Sequence, residues 1–253
     1  MNDTTYLFGE DCTVILPTYM EVSNIGNMII ALKELYPGFR ILVMDDNSDD
    51  GSKEVVEELK ERFEGIRFVV RDPLDKGLSA SIFQGIAETE TEFFVNMDSD
   101  FQHPPSAVGD IYNSLRTSDL CIGIRDDRTA LSFMRWVFSW VAHAMTCFML
   151  KFRGKQVSRD VMSGLFGGRT DIFRTVITEN SNEFEMKGFK ALLDLMKYSP
   201  DDIRISEITF QFGERQGGES KLSPKIILSV LRQCDRLGKF AAKIGDRAVK
   251  IFK

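Results

Sequence analysis

Along the first half of the chain, short apolar runs alternate with stretches of helical spacing, and that alternation constrains the fold more than any other feature. The runs CTVILPTY (12–19), RILVMDD (40–46), IRFVV (66–70), EFFVNMD (92–98) and DLCIGI (119–124) are rich in Val, Ile and Phe. Helical patterns fill the gaps, at about 22–36, 52–63, 77–88 and 105–116. In the second of these, Val55, Val56, Leu59 and Phe63 keep one face apolar while Glu54, Glu57, Glu58, Lys60 and Glu61 cover the other. Strands that are apolar on both faces and separated by helices build a mostly parallel sheet covered on each side, an α/β fold of the Rossmann-like kind. Such sheets bind ligands beyond the carboxyl ends of their strands.

Two acidic clusters fall on that edge. Asp45-Asp46 ends the second run, and Asp98-Ser99-Asp100 ends the fourth, inside FFVNMDSDFQHPP (93–105). Asp is a common turn and capping residue, and Asp49, Asp50 and Ser52 are read that way. Asp98 and Asp100 are less easily dismissed, because two like charges at one strand end repel unless a cation or hydrogen-bond donors hold them. Mg²⁺ and Mn²⁺ prefer oxygen ligands and commonly retain waters and a substrate phosphate. Spacing alone leaves metal binding and turn capping about equally weighted. Neither G-x-x-x-x-G-K-[ST] nor a G-x-G-x-x-G after the first strand is present, LPTYMEVSN standing there instead. ATPase and dinucleotide-binding readings are thereby disfavoured, and a diphosphate held through a metal remains.

The 253 residues, 43% hydrophobic, suffice for one sizeable core. A net charge of −6 weighs against nucleic acid as a partner. Cys12, Cys121, Cys147 and Cys234 stand far apart, mostly in apolar segments, and are read as reduced, buried thiols. The acidic start MNDTTYLFGEDC lacks the features of a signal peptide, so the expected location is cytoplasmic.

Taken in order, VILPTYMEVSNI (14–25), VMDDNSDDGS (43–52), DKGLSASIFQGI (75–86) and MDSDFQHPP (97–105) resemble the nucleotide-sugar-binding half of glycosyltransferase family 2. Further on, GIRDD (123–127), SRDVMSG (158–164) and FGERQGGESKL (212–222) are similar to the later motifs of its dolichol-phosphate mannose synthase-like members. The resemblance implies a GT-A fold, with a single catalytic domain over 1–222 divided into a nucleotide-sugar half (about 12–124) and an acceptor half (about 125–222). It implies that Pro17, Tyr19, Glu21, Asp45, Asp46, Lys76, Gly77, Asp98 and Ser99 line the nucleotide-sugar site. Asp98, Asp100 and Gln102 would hold Mg²⁺ or Mn²⁺ on the donor diphosphate, with GDP-mannose the expected donor. Arg215 and Lys221 would approach the phosphates, and Arg125, Arg135 and Ser163 the acceptor phosphate. Two departures stand out: Asp126 and Asp127 follow Arg125 where a tyrosine and an uncharged residue are usual, and Val161 replaces a proline.

The residues bear on the acceptor as well. A sugar hydroxyl needs a general base, whereas a lipid phosphate is already an anionic nucleophile. Only His103 and His143 are available as histidines, His103 reading as a loop residue and His143 lying in an apolar helix. The scarcity of evident bases therefore tilts toward a phosphate acceptor, and the resemblance implies that it is a polyprenyl or dolichyl phosphate, reached by inverting transfer. Such a lipid requires a membrane surface. The run WVFSWVAHAMTCFML (136–150) is too short to span a bilayer but suited to lie on one, and Lys151, Arg153, Lys155 and Arg159 follow it. Residues 221–253 carry nine Lys or Arg against two Asp, a charge of +7 that leaves −13 elsewhere. Over 223–253 an apolar stripe of Ile226, Val230, Leu237, Phe240, Ile244, Ala248 and Ile251 runs beside Arg236, Lys239, Lys243, Arg247 and Lys250. A C-terminal amphipathic helix is expected there, and with 130–150 it would attach the protein peripherally to a cytoplasmic membrane face. The alternatives are a family 2 enzyme using a UDP-sugar on a saccharide hydroxyl, and a non-catalytic nucleotide-sugar-binding relative. The first is disfavoured by the missing Q-x-x-R-W of processive enzymes, the second by an intact Asp98, Asp100 and Gln102.

Overall fold

The computed structural model describes residues 9–126, 133–186 and 190–213, apart from the side chains of 133–142. The expected alternation is realised as β1 (Cys12–Thr18), α1 (Val22–Leu35), β2 (Arg40–Asp45), α2 (Ser52–Lys60), β3 (Ile66–Val70), α3 (Leu78–Glu88), β4 (Phe93–Asn96), α4 (Ser106–Leu115) and β5 (Leu120–Arg125). Then come α5 (Phe133–Phe152), β6 (Phe166–Arg169), α6 (Thr170–Asn180), α7 (Ala191–Tyr198) and β7 (Ile205–Phe210). The strands form one sheet of order β3-β2-β1-β4-β6-β5-β7. All run parallel except β6, which is antiparallel to both β4 and β5.

Both faces of this sheet are covered, which is why its central strands show no polar alternation. In β1, Val14 and Leu16 pack with Ile25, Met28 and Ile29 of α1, Val56 of α2 and Val108 and Ile111 of α4. Ile15, pointing the other way, packs with Ile82 and Phe83 of α3, Phe173 of α6 and Leu192 and Leu195 of α7. The loop after β2 also ties two helices together. Asp50 accepts the first amide of α1, that of Val22, at 2.9 Å and the Ser52 hydroxyl of α2 at 2.7 Å, the capping role its position suggested.

The sequence reading had no counterpart for β6 or β7. FGGR carries two glycines in four residues and shows no strand signal, and β7 is a half-exposed edge. Gly167 is required where it stands, since a Cβ there would meet the backbone oxygen of Phe94 at 2.6 Å and Cγ2 of Ile111 at 2.7 Å. The apolar run at 136–150 lies in α5, where Leu150 is buried while Phe148 and Phe152 are 72% and 83% exposed. Among the described residues no helix is long and apolar enough to cross a membrane. Cys12 and Cys121 are buried free thiols and Cys147 is half-buried, whereas Cys234 and the expected helix at 223–253 lie outside the described residues.

Gly167→Ala should lower the unfolding free energy by about 2 kcal/mol, because the clashing atom is a paired backbone carbonyl that cannot rotate away. Urea unfolding would show it as a lower midpoint with unchanged slope; a midpoint equal to the parent's would mean that β4 and β6 can separate at no cost.

Candidate active site

A crevice opens where β1 and β4 part. Their pairing runs from Cys12↔Phe93 to Ile15↔Asn96, while β1 continues beside β2 to Thr18. Met97 N donates to Ile15 O at 3.2 Å on the β4 side, and Asp46 N donates to Thr18 O at 2.9 Å on the β2 side. Strand alternation therefore turns the backbone of Pro17 toward β4, where the next rung would need the N–H that proline lacks. The ladder stops there, and residues 98–103 leave the sheet. This is also the point where strand order reverses, β2 and β3 lying on one side of β1 and β4 on the other, the usual ligand crevice of such sheets.

Three turns at this edge hold a non-glycine residue in the left-handed region: Met20 after β1 (φ 58°), Asn47 after β2 (φ 60°) and Phe101 after β4 (φ 62°). No other described non-glycine residue has a positive φ. Backbone strain gathered at one edge marks where the fold accepts a local cost to set a shape.

On the β2 side, Asp45 accepts from the amide and hydroxyl of Ser48, both at 2.7 Å, and Ser48 Oγ accepts from Met20 N at 2.9 Å. Asp46 accepts from the Gly77 amide at 2.9 Å and from the guanidinium of Arg71. Arg71, 2% exposed, also reaches Gln84 at 2.9 Å and Asp75 at 3.3 Å. Lys76 stands 4.6 Å from the centroid of the Tyr19 ring. Glu21 is the N-cap residue of α1: its carbonyl accepts from the backbone amides of Asn24 and Ile25, and its carboxylate accepts from the side-chain Nδ2 of Asn24. Tyr19, Glu21, Asp45, Asp46, Lys76 and Gly77 thus surround one side of the crevice, with Pro17 at its root.

On the β4 side, the side chain of Asp98 is 40% exposed, whereas Ser99 and Asp100 are buried and Gln102 N donates to Asp100 at 3.1 Å. His103, beside them, is fully buried. Burial pushes its imidazole below the usual range, Asp98 opposing and Arg125 reinforcing the shift. Arg125, at the end of β5, lies with its guanidinium 4.0 Å over the Phe212 ring, and that ring is 6.0 Å from His103. Lys190 donates to Met162 O at 2.9 Å, and its amine is lowered first by burial, then by Arg125, with Asp160 and Asp98 opposing. Two cations, Arg125 and Lys190, therefore stand within electrostatic reach of the acidic turn. Ser163 is occupied differently, its hydroxyl proton directed at Gly123 O at 2.7 Å, with Leu165 O at 3.1 Å, which joins the 160–164 loop to β5.

The donor set suits a hard divalent ion only in part. Asp98 and Asp100 offer carboxylates and Gln102 an amide oxygen, and among the described residues no three His, Cys, Asp or Glu side chains converge. Such an incomplete shell fits an ion that completes its coordination with water and diphosphate oxygens. The expected phosphate ligands Arg215 and Lys221 lie outside the described residues, as does the side chain of Arg135; the last described residue, Gly213, donates to Gln102 O at 3.0 Å. Sequence reasoning missed Arg71 and Lys190. For Arg71 a signal existed, a lone cation ending an apolar run at the ligand edge; Lys190 precedes a short helix and carries none.

The family model "Glycosyl transferase family 2" matches residues 13–177. The chain is 32% identical over 249 residues to dolichol-phosphate mannosyltransferase of Saccharomyces cerevisiae, covering 95% of this chain and 91% of that one. It is 32% identical over 247 residues to the protein of that name from Pyrococcus furiosus, covering 94% of this chain and 66% of that one. Undecaprenyl-phosphate mannosyltransferase of Micrococcus luteus is 27% identical over 242 residues, with 92% and 96% covered. Among solved structures, mannosyl-3-phosphoglycerate synthase from Rubrobacter xylanophilus superposes with a TM-score of 0.60 at 14% identity, covering 89% of this chain and 73% of that one. Glucosyl-3-phosphoglycerate synthase from Mycobacterium tuberculosis, in complex with Mn²⁺, uridine diphosphate and glucosyl-3-phosphoglycerate, gives 0.58 at 19% identity, with 88% and 79% covered. These structural likenesses are of fold.

Arg71→Met would strand the buried Asp46 carboxylate with a single amide donor and should cost about 3 kcal/mol in urea unfolding, since breaking one partner of a buried ion pair leaves an uncompensated charge. Arg71→Met combined with Asp46→Leu should recover most of that loss. A double variant as unstable as the single one would mean that packing, not the charge, is what Arg71 supplies.

Proposed function

The chain belongs to glycosyltransferase family 2, and from that membership together with the crevice geometry we propose that it transfers mannose from a nucleotide-sugar to a polyprenyl phosphate such as dolichyl phosphate. GDP-mannose is the expected donor. The observation that carries the reading is the gathering of the strand-end pair Asp98 and Asp100 and the cations Arg125 and Lys190 around one turn, all four acting on His103. Their charges suit two anionic groups that must approach each other, a metal-bound diphosphate and an acceptor phosphate.

Asp98, Asp100 and Gln102 would hold Mg²⁺ or Mn²⁺, which when bound neutralises charge developing on the departing diphosphate. Tyr19, Glu21 and Lys76 border the nucleotide side, and Asp46, fixed by Arg71 and the Gly77 amide, shapes its floor. Arg125 and Lys190 orient the acceptor phosphate. One of its oxygens forms a bond to the anomeric carbon as the bond from that carbon to the donor's diphosphate oxygen breaks, and the nucleoside diphosphate leaves with the electron pair. Displacement from the opposite face inverts the centre. No proton need be removed from an anionic nucleophile. That matters here because the one histidine at the crevice, His103, already uses its Nδ1 to accept the Asp98 amide.

The same reading includes peripheral membrane attachment through the exposed face of α5, where the rings of Phe148 and Phe152 stack 6.4 Å apart beside exposed Lys151 and Arg153. The contribution of 223–253 belongs to this proposal too.

Asp100→Ala should lower mannosyl transfer from GDP-mannose to polyprenyl phosphate by at least about a hundredfold while circular dichroism stays unchanged. Parent-like turnover in a Mn²⁺-dependent assay would remove Asp100 from the machinery, and transfer to polyprenol or a saccharide in place of the phosphate would overturn the acceptor.

Replacing both Phe148 and Phe152 with Asp should weaken sedimentation with anionic liposomes and slow transfer to long-chain acceptor, yet spare transfer to a short, water-soluble prenyl phosphate. Equal loss with both acceptors would show that the two rings serve the fold.

A further inference from the structure

The sequence reading treats His103 as a loop residue, and the proposed chemistry gives it no task. Its surroundings are more specific than either implies. The ring is fully buried in a turn whose neighbours Asp98 and Gln102 are partly exposed. It meets Phe210 and Phe212 edge-on, at 5.6 and 6.0 Å, and those two rings are 6.3 Å from each other, so the three form one cluster. Gly164 closes the remaining side: a Cβ there would stand 3.1 Å from Cε1 of His103 and 3.3 Å from Oδ2 of Asp98. One face of the pocket is thus shared by the imidazole and the Asp98 carboxylate.

Within this pocket the amide of Asp98 donates to Nδ1 of His103 at 3.1 Å. A backbone amide always carries its proton, so Nδ1 must be the unprotonated nitrogen and the ring the neutral tautomer with hydrogen on Nε2. Nε2 is buried and has no protein partner among the described residues. Oδ2 of Asp98 lies 3.5 Å from the same Nδ1, so a proton there would compete for the carboxylate instead of receiving the amide.

We propose that His103 is a positioning residue for the divalent-ion site: its Nδ1 anchors the backbone of Asp98 and holds that carboxylate turned outward, toward the ion. The inference rests on the assignment of Asp98 to the ion. Groups that orient a metal ligand commonly govern affinity about 10- to 100-fold without touching the metal. The anchor is needed because the ladder, whose last rung is Met97 N to Ile15 O, leaves the 98–103 turn without sheet pairing.

The nitrogen at issue can be removed or imitated separately. Phe at 103 keeps a ring against Phe210 and Phe212 but offers no acceptor, whereas the side-chain oxygen of Asn falls close to the position of Nδ1. Free Mn²⁺ would be followed by electron paramagnetic resonance during titration of the full chain in the presence of GDP. His103→Phe should bind Mn²⁺ at least about tenfold more weakly, and His103→Asn should bind like the parent. Asn as weak as Phe, or Phe equal to the parent, would overturn the inference. Asp98→Ala separates the premise from the conclusion. If it binds Mn²⁺ normally, the assignment of Asp98 fails; if it loses the ion while His103→Phe keeps it, only the role of His103 falls. Should the Phe variant not fold, ¹⁵N spectra of the parent's imidazole decide, because a proton found on Nδ1 in the metal-free protein contradicts the anchor.

Discussion

The parting of β1 and β4 at Pro17 is the constraint on which the rest of the site depends. A parallel ladder is self-propagating, each rung presenting the next donor and acceptor, and a buried strand end would otherwise continue to pair. Proline interrupts this at one rung, on one side of one strand, while β1 stays paired with β2 through Thr18. The consequence is a chain released from the sheet just as it reaches Asp98, inside a fold that is otherwise closed by apolar packing on both faces.

Releasing backbone from a ladder creates unsatisfied polar groups, and much of the local polar structure answers that need. Asp45 supports the turn after β2, Asp46 and Arg71 join the end of β2 to the start of α3, and His103 receives the amide of Asp98. None of these bonds is made by a residue at the sheet's opposite edge. They explain how three left-handed, non-glycine residues persist side by side: each sits in a turn whose neighbouring groups are already committed.

Much of this was legible in the sequence. The first five strands and four helices differ from their expected bounds by three residues or fewer, because apolar runs buried on two faces and amphipathic helices carry strong periodic signals. The acidic turn was legible too, since charge placed at the end of an apolar run is conspicuous. What could not be read was whatever depended on distant neighbours. FGGR shows no strand preference and becomes β6 only because Gly167 fits against Phe94 and Ile111. Arg71 and Lys190 acquire meaning from partners far along the chain, and His103 is buried by Phe210 and Gly164, more than sixty residues away in sequence.

The antiparallel strand β6 occupies the place between β4 and β5, so the strand that leads into Asp98 and the one that ends in Arg125 are never hydrogen-bonded to each other. This has a temporal consequence. As the chain is synthesised, β5 emerges with no edge to join, because the strand that must separate it from β4 lies more than forty residues later. Until Arg169 has left the ribosome, the acidic turn and Arg125 belong to unconnected pieces, and β4 presents an open edge; Lys190 follows later still. Assembly of the catalytic edge is therefore a long-range event: it requires closing the loop that contains α5 so that β6 can enter between β4 and β5.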